Sequence, residues 1–525
     1  MSAERAPRAQ WALARVEAAR TLRHPALLTA LLLYTALWAW QEGNGGPHGP
    51  YPVLQDEDRH TQVPLLLLAA GALVSTHLAA TRMHRHGAGP LCGVLALHPW
   101  RRTAAHLLAA LPPAALAAVL AAARTARYAA SPDAVGSPSP AELATGPVVV
   151  LLAGCAGVAL AHLTWSAAAG PLAVLLLAVL VLCGALGVPG ARWWAPVGVA
   201  DEWTDPLPSA LMHRPAGTHL GYLAAVTGAL VLFALVRAGA RARALRPALA
   251  LLAVTAVAVG AAQFRPLPDD LAAHRLDVER RPGEHQRCRT VDRVTFCAFP
   301  EFLPRTARWR GITDGVLARV PTVERTGRYV VRQRIFLDGH AEGLARPAPL
   351  AAWARDDARH GTPGAVTVGT RWDTDDMGED AVLSFAVRFA DRVVGGPRRP
   401  DAPPRSGRLC GARAVTTLWL AAQATGQTAN ALRSLHRRSF GDGIGLTTLG
   451  SAEILSVDAP AVRVVLDLLD RPADADEVGA RLRASWPALV DERTSTARAA
   501  RLLGAPVPAP ADTARGEEGT RCAEL

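Results

Sequence analysis

Seven long apolar stretches fill the first half of this 525-residue chain, and they restrict its fold more than any motif does. They run over Pro25–Trp40, Val63–Thr81, Ala104–Ala123, Pro147–Ala169, Pro171–Val188, Leu220–Val236 and Pro247–Phe264, and none contains Asp, Glu or Arg. At about 1.5 Å of rise per residue, each helix is about long enough to cross ~30 Å of hydrocarbon. The expected fold class is therefore a membrane all-α domain of about seven transmembrane helices, followed by a soluble α+β extracytoplasmic domain.

The connecting segments set an orientation. With the N-terminus inside, the inner segments carry Arg5, Arg8, Arg15, Arg20 and Arg23, then Arg82, Arg85, Arg101 and Arg102, then Arg237, Arg241, Arg243 and Arg246. Their only acids are Glu4 and Glu17, whereas Glu42, Asp56, Glu57, Asp58, Asp133, Glu142, Asp201, Glu202 and Asp205 fall outside. This bias follows the positive-inside rule, and Trp38, Trp40, Trp100, Trp193, Trp194 and Trp203 sit where interfacial rings belong. The expected location is the plasma membrane, multi-pass, with a cytoplasmic N-terminus and everything after Phe264 outside. The hairpin at Gly170–Pro171 is the hinge of that count: if Pro147–Val188 crossed only once, the C-terminal half would be cytoplasmic.

Residues 1–24 read as a cytoplasmic amphipathic segment, with Trp11, Ala14, Ala18 and Leu22 at helical spacing and arginine heads toward anionic lipid. The first apolar run also resembles a signal peptide, but the tryptophans near Ala36–Trp40 spoil a cleavage site, which favours an uncleaved anchor.

Arginine supplies every basic residue beyond histidine, for the sequence has no lysine. A P-loop, a protein-kinase site and a Schiff base each need one. Any ATP-driven work therefore belongs to another subunit. H-E-x-x-H and G-x-S-x-G are absent too, so no catalytic constellation, cofactor or metal site is expected. The positive charge reads as topology, with the lipid bilayer and not nucleic acid as partner. Carboxylates, which coupled antiporters carry at mid-membrane depth, are missing from the seven runs, and this disfavours such a mechanism.

The chain divides near residue 265 into a transmembrane domain (25–264) and an extracytoplasmic α+β domain (265–504), with a disordered tail at 505–525. Strands are expected at Arg293–Phe299, Tyr329–Leu337 and Ala365–Trp372. Helices are expected at Arg305–Arg319, Pro349–Arg359 and Glu379–Val394, and beyond a Pro/Arg-rich break the pattern is nearly all helical.

Cys288 and Cys297 bracket a run that can fold back as a hairpin, so they form a candidate disulfide, with zinc as a weaker alternative. Cys410 and Cys522 are a second possible pair. The acidic run Asp373–Asp380 begins like a calcium loop but puts Met377 and Ser384 where oxygen ligands belong. His162 lies inside the fourth run as a candidate pathway or packing residue.

Three segments together carry a family resemblance: the basic approach Glu17-Ala-Ala-Arg20-Thr-Leu-Arg23-His-Pro25, the loop start Arg82-Met-His-Arg85-His86-Gly87, and its close His98-Pro99-Trp100-Arg101-Arg102. With a short fourth-to-fifth hairpin and a Trp-rich segment before the sixth run, this order resembles the permease subunits of ABC-2-type transporters of high-GC actinobacteria. The likeness covers roughly residues 8–237 and rests on topology and loop character. It implies an exporter subunit that pairs as a homo- or hetero-dimer and is energised by a separate ABC ATP-binding subunit. It also implies that the N-terminal segment and Arg82, Arg85, His86, Trp100, Arg101 and Arg102 form the ATPase-coupling surface, and that Ala191–Ser209 corresponds to re-entrant external helices. A seventh run and a large external domain depart from the family pattern. The alternative is a membrane-anchored extracytoplasmic binding or sensor protein without transport activity.

Overall fold

The computed structural model describes residues 5–43, 51–87, 97–186, 188, 194–197, 205–213, 215–263, 266–337, 349–372, 376–396, 407–439, 443–448, 453–471 and 475–508. The chain forms two compact units. The first comprises Met1–Pro47, Pro52–Asp201 and His213–Leu267; the second comprises His48–Tyr51, Glu202–Met212 and Pro268–Leu525.

Unit 1 is helical: α1 (Arg5–Leu22), α2 (Pro25–Gly43), α3 (Leu54–His60), α4 (Gln62–Arg85), α5 (Pro99–Leu108), α6 (Leu111–Ala129), α7 (Pro140–Ala161), α8 (Ala169–Ala185), α9 (Ala216–Arg237) and α10 (Leu245–Ala262). Five helical stretches are long and apolar enough to span a bilayer: Leu54–Arg85, Pro99–Ala129, Pro140–Ala161, Ala216–Arg237 and Leu245–Ala262. Trp38, Trp40, Gln41 and Glu42 hold the mean hydropathy of α2 below that of these five. The apolar α8 is shorter, at 17 residues.

Small residues let α4 and α7 form the centre of this unit. A Cβ on Gly157 would overlap the Thr76 hydroxyl and the Leu73 carbonyl, and the Thr76 hydroxyl donates to the Gly154 carbonyl at 2.9 Å. Gln62 donates to the Glu142 carboxylate at 2.6 Å, so the two helices start together and run parallel, as elements separated by one reverse crossing must. Gly221 faces Val259 and Gly228 faces Leu252, which makes α9 and α10 antiparallel. Large apolar side chains point outward on the rim: Leu172, Leu175, Leu176 and Leu182 on α8, and Leu251, Val254 and Val257 on α10. An exposed apolar belt of that extent is costly in water and suits lipid.

Unit 2 begins with α11 (Asp269–Arg280), then β1 (Arg287–Val291), β2 (Val294–Ala298), α12 (Thr306–Arg319), β3 (Tyr329–Gln333), α13 (Leu350–Arg359), β4 (Val366–Val368) and α14 (Asp376–Val394). It continues with β5 (Arg408–Leu409), α15 (Gly411–Ala422), α16 (Gly426–Arg438), β6 (Gly443–Thr448), β7 (Glu453–Asp458), α17 (Ala459–Leu469), α18 (Ala475–Ala484), α19 (Trp486–Val490) and α20 (Thr496–Leu503). One mixed sheet has the order β1-β2-β3-β4, antiparallel at the hairpin and parallel beyond it; a second has the order β5-β7-β6. Every residue of α15 from Ala412 to Ala422 is buried, so this helix is the axis of the core; its one charge, Arg413, is paired with Asp391 and Glu492.

Two expectations need correction here. The region after the Pro/Arg-rich break is not nearly all helical, because Gly443–Thr448 and Glu453–Asp458 pair as an antiparallel hairpin. Their short alternating pattern was submerged among strongly helical neighbours. The helix of the fourth apolar run starts seven residues early, at Pro140, and stops at Ala161, which leaves His162 as its C-cap and not inside a span. Pro140 in the first turn costs the helix no hydrogen bond, so the helix begins ahead of the apolar run.

Candidate functional site

One end of unit 1 gathers most of the residues that the sequence marks. α1 presents Glu17 inward, where it is 2% exposed. A buried carboxylate must be paired, and two arginines and a histidine surround this one. Arg82, in the last turn of α4, donates to both carboxylate oxygens at 2.6 and 2.7 Å; Arg20 donates at 3.0 Å; His106 of α5 lies 3.9 Å away. Arg82 is therefore held in an intrachain pair, with its side chain still 38% exposed at the end of the bundle. The sequence signal for this was Glu17 itself, one of only two acids in the basic segments.

The remaining marked residues lie around it. Arg85 and His86 are exposed at the end of α4, and no side-chain partner meets Arg85 among the described residues. At the start of α5, the Arg101 guanidinium lies 4.7 Å from the centre of the Trp100 ring, while Arg102 is half-buried. His162 meets the Thr103 hydroxyl at 3.2 Å, which ties the end of α7 to the start of α5; His84 stacks on Trp165 at 4.6 Å. His162 thus packs helix ends together. The loop centre, residues 88–96, lies outside the described residues, as does most of Ala191–Ser209.

The opposite end holds a polar cluster that the sequence reading missed. Asp58 accepts from the Ser139 backbone at 2.7 Å, and Glu57 and Asp58 are fully buried in α3. Arg124 is fully buried in α6, with its guanidinium 5.6 Å from the Tyr128 ring centre. None of its nitrogens reaches an acceptor in hydrogen-bond geometry among the described residues. The apolar runs ended at Ala123 and began at Val63, but the helices continue past both limits and carry these charges into membrane-length elements. Buried ionisable groups therefore sit in the membrane-length stretches, beyond the ends of the apolar runs.

In unit 2, Cys288 and Cys297 face each other across β1 and β2 and are joined by a disulfide. Cys410 is disulfide-bonded as well; Cys522 lies outside the described residues, as do Asp373–Asp375 of the acidic run. A buried ionic group rigidifies the first sheet: Arg334 and Arg332 reach the two Asp357 oxygens at 2.5 and 2.9 Å. No protein-family model, curated protein or solved structure matches this chain.

Proposed function

We propose that the chain is the membrane-spanning permease subunit of an ABC-type exporter, energised by a separate ATP-binding subunit. The observation that carries this reading is the Glu17–Arg82 pair, with His106 beside it. It makes α1, the end of α4 and the last turn of α5 one mechanical body, so a displacement of α1 or of the 82–102 segment is passed to two membrane-length helices together. Arg85, Arg101 and Arg102 remain as the surface for the energising subunit. Seven passes with a cytoplasmic N-terminus follow from counting α2 and α8 as crossings. The basic end of the bundle then faces the cytoplasm, and unit 2 lies outside.

The test is purification from native membranes in mild detergent with mass-spectrometric identification of what accompanies the protein. A stoichiometric subunit with a P-loop lysine is expected, and Arg85→Glu/Arg101→Glu/Arg102→Glu should abolish its association while the protein still inserts. An intact preparation without such a subunit sinks the exporter reading. The core of unit 2 favours the alternative in that event: an anchored extracytoplasmic binding protein.

A further inference from the structure

A groove of about 440 Å³ opens on unit 2 between α11 and α13. Helical spacing builds both walls. Ala273, Leu276, Asp277 and Arg280 recur at i, i+3, i+4 and i+7 on α11, and Ala352, Arg355 and Arg359 at i, i+3 and i+7 on α13. Each wall is therefore apolar at one end and cationic at the other. Arg281 completes the lining, which holds four arginines against one carboxylate.

The arginines are not equivalent. Arg281 is bound to Asp277 and lies 3.4 Å from Glu284, and Arg359 shares Glu284 and Asp356, each at 3.4 Å. Arg280 and Arg355, one from each wall, have no carboxylate or carbonyl partner among the described residues. Two exposed guanidiniums, one on each wall of an open groove and beside a Leu276 that is 38% exposed, offer an anion two charged donors next to an apolar shelf.

We propose that this groove binds the phosphate of an anionic glycerophospholipid, with Arg280 and Arg355 on the phosphodiester and Ala273, Leu276 and Ala352 against the first carbons of the glycerol and acyl chains. The source is the membrane, because only six residues of chain separate Ala262 at the end of α10 from Asp269 at the start of α11. A six-residue segment reaches at most about 20 Å. On so short a tether the proposal seats the basic groove against anionic headgroups, which attract arginine clusters electrostatically. The proposal rests on α10 being a membrane span and is independent of export.

The test uses the full chain in neutral detergent and native mass spectrometry. The protein is titrated with dioleoylphosphatidylglycerol, with dioleoylphosphatidylcholine and with inorganic phosphate. We expect one phosphatidylglycerol to bind in preference to phosphatidylcholine. Arg280→Gln/Arg355→Gln should weaken it by at least about tenfold, the size of losing two charge-assisted contacts, with the melting temperature unchanged because neither side chain holds the fold. Arg280→Lys/Arg355→Lys should retain part of the binding through charge alone. Unaltered phosphatidylglycerol binding in the Gln variant overturns the site. Equal uptake of phosphatidylcholine overturns its charge selectivity, and binding of inorganic phosphate as tight as that of the lipid overturns its membrane source.

Discussion

Arg82 places one guanidinium nitrogen 2.6 and 2.7 Å from the two carboxylate oxygens of Glu17, joining residues 65 apart in the chain through a carboxylate that is 2% exposed. Bidentate contact to a buried acid is the strong form of an ion pair. It converts an N-terminal segment with weak intrinsic claims on the bundle into a fixed part of it.

Glu17→Gln should therefore loosen α1. The expected cost is about 1.5–3 kcal/mol, the range for a hydrogen-bonded charge. A double-mutant cycle with Arg82→Gln, read by thermal unfolding in detergent, should show coupling of at least about 0.5 kcal/mol. Strictly additive losses would mean that the pair does not hold the helix.

The α4–α7 contact depends on the missing side chain of Gly157. Gly157→Leu has no rotamer that avoids the Leu73 carbonyl and Thr76, so the helices must separate along their contact. Overpacking of this kind costs about 1–3 kcal/mol or more. The measurement is the melting temperature beside that of Gly217→Leu, where a Cβ meets nothing and little change is expected. Equal losses in the two variants would put the close approach in doubt.

How much of this was legible in the sequence depends on the length scale of the signal. Apolar runs announce membrane-length helices because lipid removes every competing way to satisfy the backbone. In unit 2, amphipathic repeats place helices at Arg305–Arg319 and Pro349–Arg359, within one residue of α12 and α13. The partners of individual charges were not legible. Glu17 and Arg82 look like unrelated residues until the helices are packed, and Arg124 lies just past the apolar run that ends at Ala123, where hydropathy alone does not extend the helix. The β6–β7 hairpin failed for another reason: pairing is non-local, and short strands carry little periodicity of their own. The groove arginines come together only through α11, a short polar helix with little apolar periodicity to mark it.

Acid should weaken unit 2 through Asp277. Burial works against its ionisation, but hydrogen bonds from His285, at 2.8 Å, and from Arg281 outweigh that and hold the carboxyl below its usual 3.8. A folded-state pKa below the unfolded one gives stability that is complete above the unfolded value and is lost as pH falls through the folded value. The wild-type melting temperature should thus fall on acidification below about pH 4, and Asp277→Asn should remove part of that slope. Partial exposure keeps the effect small. An identical pH profile in the variant would show that Asp277 adds nothing to the acid limb.

Arg124 offers the sharpest separation between structural and functional charge. It is fully buried, faces the buried Glu57 as an electrostatic neighbour, and makes no hydrogen bond among the described residues, so its desolvation is poorly offset. Arg124→Met removes the cation that faces Glu57 and should destabilise the bundle by up to about 3–5 kcal/mol, the range for breaking a buried pair. Arg124→Met/Glu57→Gln removes both charges at similar volume and should recover most of that loss, or exceed the wild type, because an apolar replacement of a buried ion pair is often neutral or stabilising. Thermal unfolding of the two variants in detergent decides it. If the double variant is as unstable as the sum of its parts, Arg124 and Glu57 are not coupled and each is held by other contacts. If it is stable, the two charges are dispensable for folding.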